Sequence, residues 1–515
     1  MEISDNASFI AIALGLYLAV IVGLGVYYSR RADSTENFIL AGHSLSAPFV
    51  CGSVVATWLG CAVVIGDARE AYVGGFQAIV WDPWSPALTL LFCGFFMVSV
   101  FRRSRFTTAI DFYNTRFDRR VGMFGLTIHL LAYVSWISAQ LLSLGVIVSV
   151  ITGLPPIPAT LVGAGIILTV SLTGGLWALS RSDMLAFVIL TVVLLIVLHY
   201  ALSAVGGADA FIAKAGTANG APPFALFYTE TPNAAGEPTG FSGYLGILGI
   251  CYMLAAWFSV AVGDLGGSIL TARALAAKDE RAASRGFIIG GVIYLFLGMI
   301  PVIVGMCAFI LDRNVPEAEL DNLFPAFVQA HLPGWVVVLS FVAVASAIIS
   351  TAGDTVLTSG ALLGYTTLRV VRPNATDKQT LAATRIAMVL FTGTGLLFGL
   401  VMGDLYRLLV FAGAISFPSI APMAICGILW KKANVTGALA SIATGTVSWI
   451  VLVWLMIRHT DGELWDAIYI GSVPAFALGS LAMVGVSLAT QRSCPPKPAR
   501  DAGGRDISSG KLFSW

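Results

Sequence analysis

Four residues in one apolar segment have the types and the spacing of an ion-binding stripe. They stand at positions i, i+3, i+4 and i+7, and so share one helical face: Ala347, Ser350, Thr351 and Asp354. Hydroxyl and carboxylate oxygens are the ligands that hard cations choose, and an ionisable residue inside a spanning helix indicates a functional site. The alternative is that the hydroxyls bond to their own helix and the carboxylate lies near a helix end.

A second candidate segment, residues 47–66, carries features that interrupt a helix. It contains three glycines, β-branched valines and a tryptophan, Trp58, in its middle. Unwound backbone inside a membrane frees carbonyl oxygens that can hold a cation, and it is tolerated where it lines a cavity. A glycine-containing packing helix is the alternative.

Two tryptophans lie deeper than tryptophans in membrane proteins usually do. Trp58 and Trp136 stand mid-span, whereas most tryptophans collect at the two interfaces. Gln140 lies one turn from Trp136 on the same face. Because an aromatic face attracts a desolvated cation, the pair predicts a cavity for a cationic group. Two core tryptophans that only fill volume are the alternative.

Three further acids fall inside or beside apolar runs. Asp183 follows a glycine pair at the start of a span, where it could hold an ion or cap a helix. Asp82 and Asp264 could contact substrate or an ion, and the sequence does not rank them.

The positions of these residues are set by membrane spans. The chain has 515 residues, 57% of them hydrophobic and 11% charged, with a mean hydropathy of +0.87. A soluble domain carries about 25% charged residues. Thirteen runs have spanning length: 9–29, 47–66, 77–101, 123–153, 157–173, 184–206, 241–263, 287–312, 334–365, 380–403, 406–430, 435–457 and 467–490. The sequence therefore predicts an all-α polytopic protein in a lipid bilayer.

The basic residues predict the orientation. If the amino terminus is outside, 24 of the 29 Lys and Arg fall on the inner side, Arg273 among them. We therefore expect a multi-pass protein of the cell (inner) membrane with a cytoplasmic carboxyl terminus. Residues 1–490 form one transmembrane domain, and residues 491–515 are expected to be a disordered cytoplasmic tail. The net charge of +1 gives no indication of a nucleic-acid partner.

The chain resembles the sodium:solute symporter family over nearly its whole length. The resemblance rests on residues 37–45, residues 174–178 with Asp183, residues 273–279, the Ser350 and Thr351 pair, and residues 422–432. Residues 56–60 and 68–72 are most similar to the high-affinity choline transporter branch. The resemblance implies a LeuT-like core of two inverted five-helix repeats, at residues 46–206 and 240–430, plus three extra helices.

The family resemblance also implies roles for individual residues. It implies a sodium site formed by the carbonyls of Ala56, Leu59 and Ala347 and the hydroxyls of Ser350 and Thr351. A possible second ion would lie near Asp183 and Asp354, the latter standing where relatives place a hydroxyl. Tryptophans matching Trp58 and Trp136 would contact the substrate, and Gln140 is expected as a further contact from its position on the face of Trp136. A third cage tryptophan would align near Gly267, and Trp257 or Tyr252 is expected to compensate for its absence.

The predicted function is sodium-coupled symport of a small organic solute by alternating access. A choline-like or other amine or zwitterion is one substrate class, and an amino acid, a sugar or a monocarboxylate is the alternative. A solute sensor built like a transporter is a further alternative. The sequence shows no nucleophile–base pair, and with only five histidines it does not indicate an enzyme.

Overall fold

The computed structural model describes residues 3–60, 62–226, 244–403, 405–459 and 463–507. Their regular structure is helical, with isolated bridges such as the one between Leu45 and Ala277. The helices of the first half are α1 (Ile3–Ser29), α2 (Thr35–Leu40), α3 (Ala47–Trp58), α4 (Asp67–Gly74), α5 (Ser85–Phe92), α6 (Val98–Ser104), α7 (Ala109–Arg116), α8 (Arg119–Thr152), α9 (Pro156–Val205) and α10 (Ala208–Lys214).

The second half is also helical. Its helices are α11 (Gly246–Gly263), α12 (Ser268–Ala276), α13 (Glu280–Leu311), α14 (Leu323–His331), α15 (Gly334–Gly360), α16 (Thr367–Val371), α17 (Asp377–Met402), α18 (Leu405–Ser419), α19 (Ala421–Leu429), α20 (Val435–His459) and α21 (Leu464–Ala489). The short helix α14 lies in the connection between α13 and α15.

Ten helical stretches among the described residues are long and apolar enough to cross a membrane. Two bent pairs raise the number to twelve: Ala47–Trp58 with Val63–Gln77, bent by 55°, and Phe411–Ser419 with Ala421–Leu429, bent by 49°. The all-α polytopic architecture is confirmed, while the number thirteen stays a prediction.

The longest helix, α9, contains a break between two predicted spans. Its 50 residues would extend for about 75 Å as one helix, far more than the roughly 30 Å of a hydrocarbon core. Gly175 interrupts it with φ 54° and ψ −151°. Only glycine adopts this conformation readily, and a Cβ here would also collide with the Phe38 carbonyl. The break therefore places Asp183 two turns into the second half of α9.

The α15 helix occupies the centre of the bundle. It packs against α9, α8, α3 and α1. All residues from Ala345 to Gly360 are buried, so the polar stripe has no contact with lipid. The neighbour α3 ends at Trp58, in the middle of its predicted span, so the interruption that the sequence predicts is present.

The segment after α21 differs from the expected disordered tail. Arg116 donates to the Lys497 carbonyl at 2.6 Å, and the Ala502 amide donates to the Ser104 carbonyl at 2.8 Å. Asn434 donates to the Cys494 carbonyl at 2.8 Å. Residues up to 507 thus pack against the ends of several helices, because backbone carbonyls there meet buried donors. Residues 508–515 of the predicted tail lie outside the described residues.

Candidate ion and substrate sites

The break after α3 releases a backbone carbonyl toward α15. The Gly60 amide donates to the Trp58 carbonyl at 2.7 Å and does not continue the helix. The Ala56 carbonyl oxygen lies 3.3 Å from the Thr351 hydroxyl, and that hydroxyl lies 3.0 Å from the Ala347 carbonyl oxygen. We call these three oxygens, of Ala56, Ala347 and Thr351, the oxygen cluster.

The oxygen cluster suits a hard cation. Its three residues are fully buried and come from two different helices. Neighbouring ligands about 2.4 Å from such an ion, at right angles, stand about 3.4 Å apart, close to the separations seen here. Leu59 lies at the same break, and its ψ of 54° takes it out of the helix. Three of the five predicted sodium ligands therefore lie together, and Leu59 belongs to the same helix break.

Ser350, the fifth predicted sodium ligand, bonds to a carboxylate instead. Its hydroxyl donates to Asp183 Oδ1 at 2.6 Å, and the Ser53 hydroxyl donates to Asp183 Oδ2 at 2.5 Å. Both oxygens of this fully buried carboxylate therefore have hydroxyl donors. Ser350 and Thr351 are adjacent in the chain but serve two neighbouring sites.

Asp354 and an arginine complete the second of these sites. The Thr57 hydroxyl lies 2.5 Å from Asp354 Oδ2. The guanidinium of Arg273 forms an ion pair with Asp354, and its Nη2 lies 3.7 Å from Asp183 Oδ2. Arg273 Nε also donates to the Ser53 hydroxyl at 3.1 Å. We call Asp183, Asp354 and Arg273, with these hydroxyls, the carboxylate cluster.

The sequence predicts that Arg273 lies on the inner side and indicates no role for its side chain in either site. In the structure it belongs to α12, and its side chain is 1% exposed. A signal was available, because Arg273 follows the apolar residues Ile269 and Leu270 and precedes Leu275. An arginine buried among apolar residues needs a carboxylate partner, which here comes from distant parts of the chain.

A central cavity lies beside the α3 break, with about 930 Å³ of empty space including its mouth. Its aromatic and acidic lining residues are Trp58, Trp81, Asp82, Tyr133, Trp136, Asp264, Tyr294 and Tyr469. The indole of Trp58 meets the Tyr294 ring edge-on, with centroids 6.3 Å apart. An aromatic lining with a few polar groups is typical of a small-molecule site.

Two acids face the central cavity. Asp82 is 4% exposed and accepts a hydrogen bond from the Tyr294 hydroxyl at 2.7 Å. Asp264 lies directly after α11, at the gap before α12. The structure thus assigns to the cavity both acids that the sequence left unranked.

The remaining predicted substrate contacts lie in different parts of the structure. Trp136 lines the cavity, whereas the Gln140 amide lies against Gly60, where a Cβ would stand 3.2 Å from Gln140 Oε1 and 3.0 Å from Thr351 Oγ1. Gln140 therefore stands beside the oxygen cluster. Trp257 packs with Tyr252 and neighbouring residues and is not among the cavity's lining residues. Its role as a substrate contact stays a prediction.

Interrupted helices that meet at a central cavity are typical of secondary transporters. A Na+-coupled sialic acid symporter in a substrate-bound outward-open state matches this fold with a TM-score of 0.73, over 92% of this chain and 98% of that chain, at 16% identity. A nucleobase-cation-symport-1 family transporter with bound bromovinylhydantoin matches the fold with a TM-score of 0.51, over 89% of this chain and 96% of that chain. The fold is therefore LeuT-like.

The chain belongs to the sodium:solute symporter family, whose model matches residues 38–445. A high-affinity choline transporter of Caenorhabditis elegans is 23% identical over 463 residues, covering 85% of this chain and 76% of the relative. A sodium/glucose cotransporter of Vibrio parahaemolyticus is 24% identical over 472 residues, covering 86% and 84%. Family membership makes the protein a multi-pass symporter of a small molecule, with Na+ as the coupling ion.

Proposed function

We propose that this symporter imports a small organic amine or zwitterion together with Na+. The observation that carries the proposal is the pair of carboxylates, Asp82 and Asp264, facing an aromatic-lined cavity. A carboxylate removed from water needs a compensating positive charge, and a cationic substrate supplies one. A monocarboxylate would meet repulsion at the same place.

The aromatic residues support a cationic headgroup. Trp58, Trp81 and Trp136 present indoles to the cavity, and an ammonium group over such a face gains up to about 2 kcal/mol when desolvated. Near Gly267, where a third cage tryptophan was expected, a Cβ would collide with Asp264 Oδ1. We infer that the Asp264 carboxylate provides here the attraction that an aromatic face would give.

Sodium and substrate sites share the α3 break. Ala56 belongs to the oxygen cluster, and the next two residues, Thr57 and Trp58, line the cavity. Binding of Na+ between α3 and α15 would favour the conformation in which these two residues are positioned for substrate. Each ligand then raises the affinity of the protein for the other, and symport depends on this coupling.

The topology of this transporter remains part of the proposal. We propose thirteen spans, with α9 divided at Gly175 into two and each of the two bent pairs counted as one. We propose two inverted repeats at residues 46–206 and 240–430. The amino terminus would be outside and the carboxyl terminus cytoplasmic in the cell membrane, as the basic residues indicate.

Ligand-induced thermal stabilisation of the purified protein tests the substrate class. The probes are choline, glycine betaine, glucose and acetate, each with and without Na+. We expect the two quaternary ammonium compounds to raise the Tm in Na+ and to do so less in its absence. Stabilisation by glucose or acetate alone would overturn the proposal. Counterflow of radiolabelled choline in proteoliposomes then separates a transporter from a sensor, because a sensor binds without exchange.

A further inference from the structure

The carboxylate cluster contains a positively charged side chain, the guanidinium of Arg273. Asp183 and Asp354 carry two negative charges, and Arg273, in an ion pair with Asp354 and 3.7 Å from Asp183, carries one positive charge. Side-chain exposure is 0% for both acids and 1% for the arginine. With both acids ionised, the described partners leave one negative charge uncompensated in a place without solvent.

Burying an uncompensated charge is costly, and a further cation close to the cluster would offset that cost. The adjacent oxygen cluster provides its place, because Thr351 follows Ser350 directly and Ala56 precedes Thr57. One Na+ there neutralises the remaining charge. Within the described residues Asp354 Oδ1 has no hydrogen-bond partner, so this carboxylate retains an oxygen that can attract the ion.

We propose that Arg273 acts as a built-in second cation, so that Asp183 and Asp354 are balanced by this arginine and a single Na+. The inference rests on the proposed sodium-coupled function and deepens it, because it fixes the number of sodium ions bound. Arg273 is thus a residue that determines ion stoichiometry.

The local contacts argue against a second Na+ beside Asp183. Both oxygens of that carboxylate already accept hydroxyl hydrogens, from Ser350 and Ser53. The guanidinium lies on the remaining side, held by its Nε bond to Ser53 and its ion pair with Asp354. A second Na+ would have to share this space with a like charge that cannot leave the chain.

Equilibrium binding of radioactive ²²Na+ to the purified protein, without substrate, tests the proposal directly. We expect the wild type to bind one Na+ per protein. Two Na+ per protein would overturn the inference and leave sodium-coupled transport intact. Absence of Na+ binding would instead contradict the proposed function, so the two failures are distinguishable.

Charge-matched variants test the same charge balance without requiring the absolute number of Na+ ions bound per protein. Asp354→Asn makes the cluster neutral, and we expect Na+ affinity to fall about tenfold or more. Arg273→Gln leaves two negative charges, and we expect a second Na+ to bind. In the double variant the cluster again carries one negative charge, and we expect single-site binding within about threefold of the wild-type affinity.

A purely structural role for Arg273 predicts a different pattern. The double variant would then be at least as impaired as each single variant, and this result would overturn the proposal. Unchanged Na+ affinity in Asp354→Asn would show that Asp354 is already neutral and would overturn it as well. Arg273→Lys keeps the charge and should keep one Na+ per protein, which guards against variants that fail to fold.

Discussion

The Thr57 hydroxyl lies 2.5 Å from Asp354 Oδ2, and the same residue lines the central cavity. One side chain therefore belongs both to the wall of the proposed substrate site and to the carboxylate cluster. The oxygen also lies 2.6 Å from the Ser53 carbonyl of its own helix, so the proton can be donated to either acceptor. Thr57 also connects the oxygen cluster to the cavity along the chain, since Ala56 of that cluster precedes it and Trp58 of the cavity wall follows it.

Replacing Thr57 by valine should weaken the coupling between Na+ and substrate. The shape is kept, but a hydrogen bond to a charged group is lost, and such bonds contribute about 1.5–3 kcal/mol. We expect the factor by which Na+ increases choline affinity to fall about tenfold. Titration calorimetry at low and high Na+ measures this factor.

The matched control for Thr57→Val is Thr392→Val. Thr392 is equally buried, and its hydroxyl donates at 2.9 Å to the Met388 carbonyl of its own helix. Its coupling factor should equal that of the wild type. An unchanged factor in Thr57→Val would mean that the two sites communicate by another route.

Thr351 and Ser350 should differ in their effect on the sodium requirement. Thr351→Ala removes an oxygen of the oxygen cluster, so the Na+ concentration for half-maximal binding should rise about tenfold or more. Thr351→Ser should restore most of the affinity. Ser350→Ala removes a donor to Asp183 and should have a smaller effect.

Sodium-dependent thermal stabilisation measures both Ser350 and Thr351 variants without knowledge of the substrate. Ser340→Ala is the control, because its buried hydroxyl donates within α15, to the Val336 carbonyl at 2.8 Å. A sodium requirement that is the same in Thr351→Ala and in the wild type would remove the oxygen cluster as the sodium site.

How much of this arrangement can be predicted from the sequence depends on how far apart in the chain the interacting residues lie. The stripe on α15 and the break after Trp58 follow from local periodicity and local helix breakers, and both are present in the structure. The position of Arg273 could not be predicted, because its partners Asp183 and Asp354 are separated from it by long stretches of chain. The hydrogen bond from Ser350 to Asp183 could not be predicted either, because it depends on the rotamer of the serine side chain.

Trp58 is expected to contribute through its aromatic face. Trp58→Ala should weaken choline binding more than Trp58→Phe, because phenylalanine keeps a ring toward the cation while alanine keeps none. A difference of roughly 1 kcal/mol between the variants corresponds to about fivefold in Kd. Equal losses in a choline binding assay would argue against a cation–π contact and favour a packing role.

The acids of the cavity should select for charge. Asp82→Asn and Asp264→Asn each remove a negative charge facing the aromatic residues, so choline affinity should fall about tenfold or more. The neutral isostere 3,3-dimethylbutan-1-ol should bind equally or more tightly to both variants. Competition binding measures both ligands, and a parallel loss for the neutral compound would indicate a damaged cavity rather than a lost charge.

Arg116 should stabilise the protein by joining the segment after α21 to the helix ends. Its guanidinium donates to four carbonyls, of Gly427 at 2.9 Å, Trp430 at 3.0 Å, Ala433 at 3.0 Å and Lys497 at 2.6 Å. A lysine has a single ammonium and cannot span this set. We expect Arg116→Lys to lower the free energy of unfolding by roughly 2–4 kcal/mol.

The Tm in detergent, with and without Na+, separates this structural effect from a functional one. Arg116→Lys should lower both values while the stabilisation by Na+ stays the same, because the oxygen cluster is untouched. Arg120→Lys is the control, since that side chain is 73% exposed and pairs with the nearby Asp118, so the free energy of unfolding should change by no more than about 0.5 kcal/mol. If Arg116→Lys keeps the wild-type Tm, then the carbonyls are satisfied without the guanidinium, and Arg116 does not stabilise the protein through this segment.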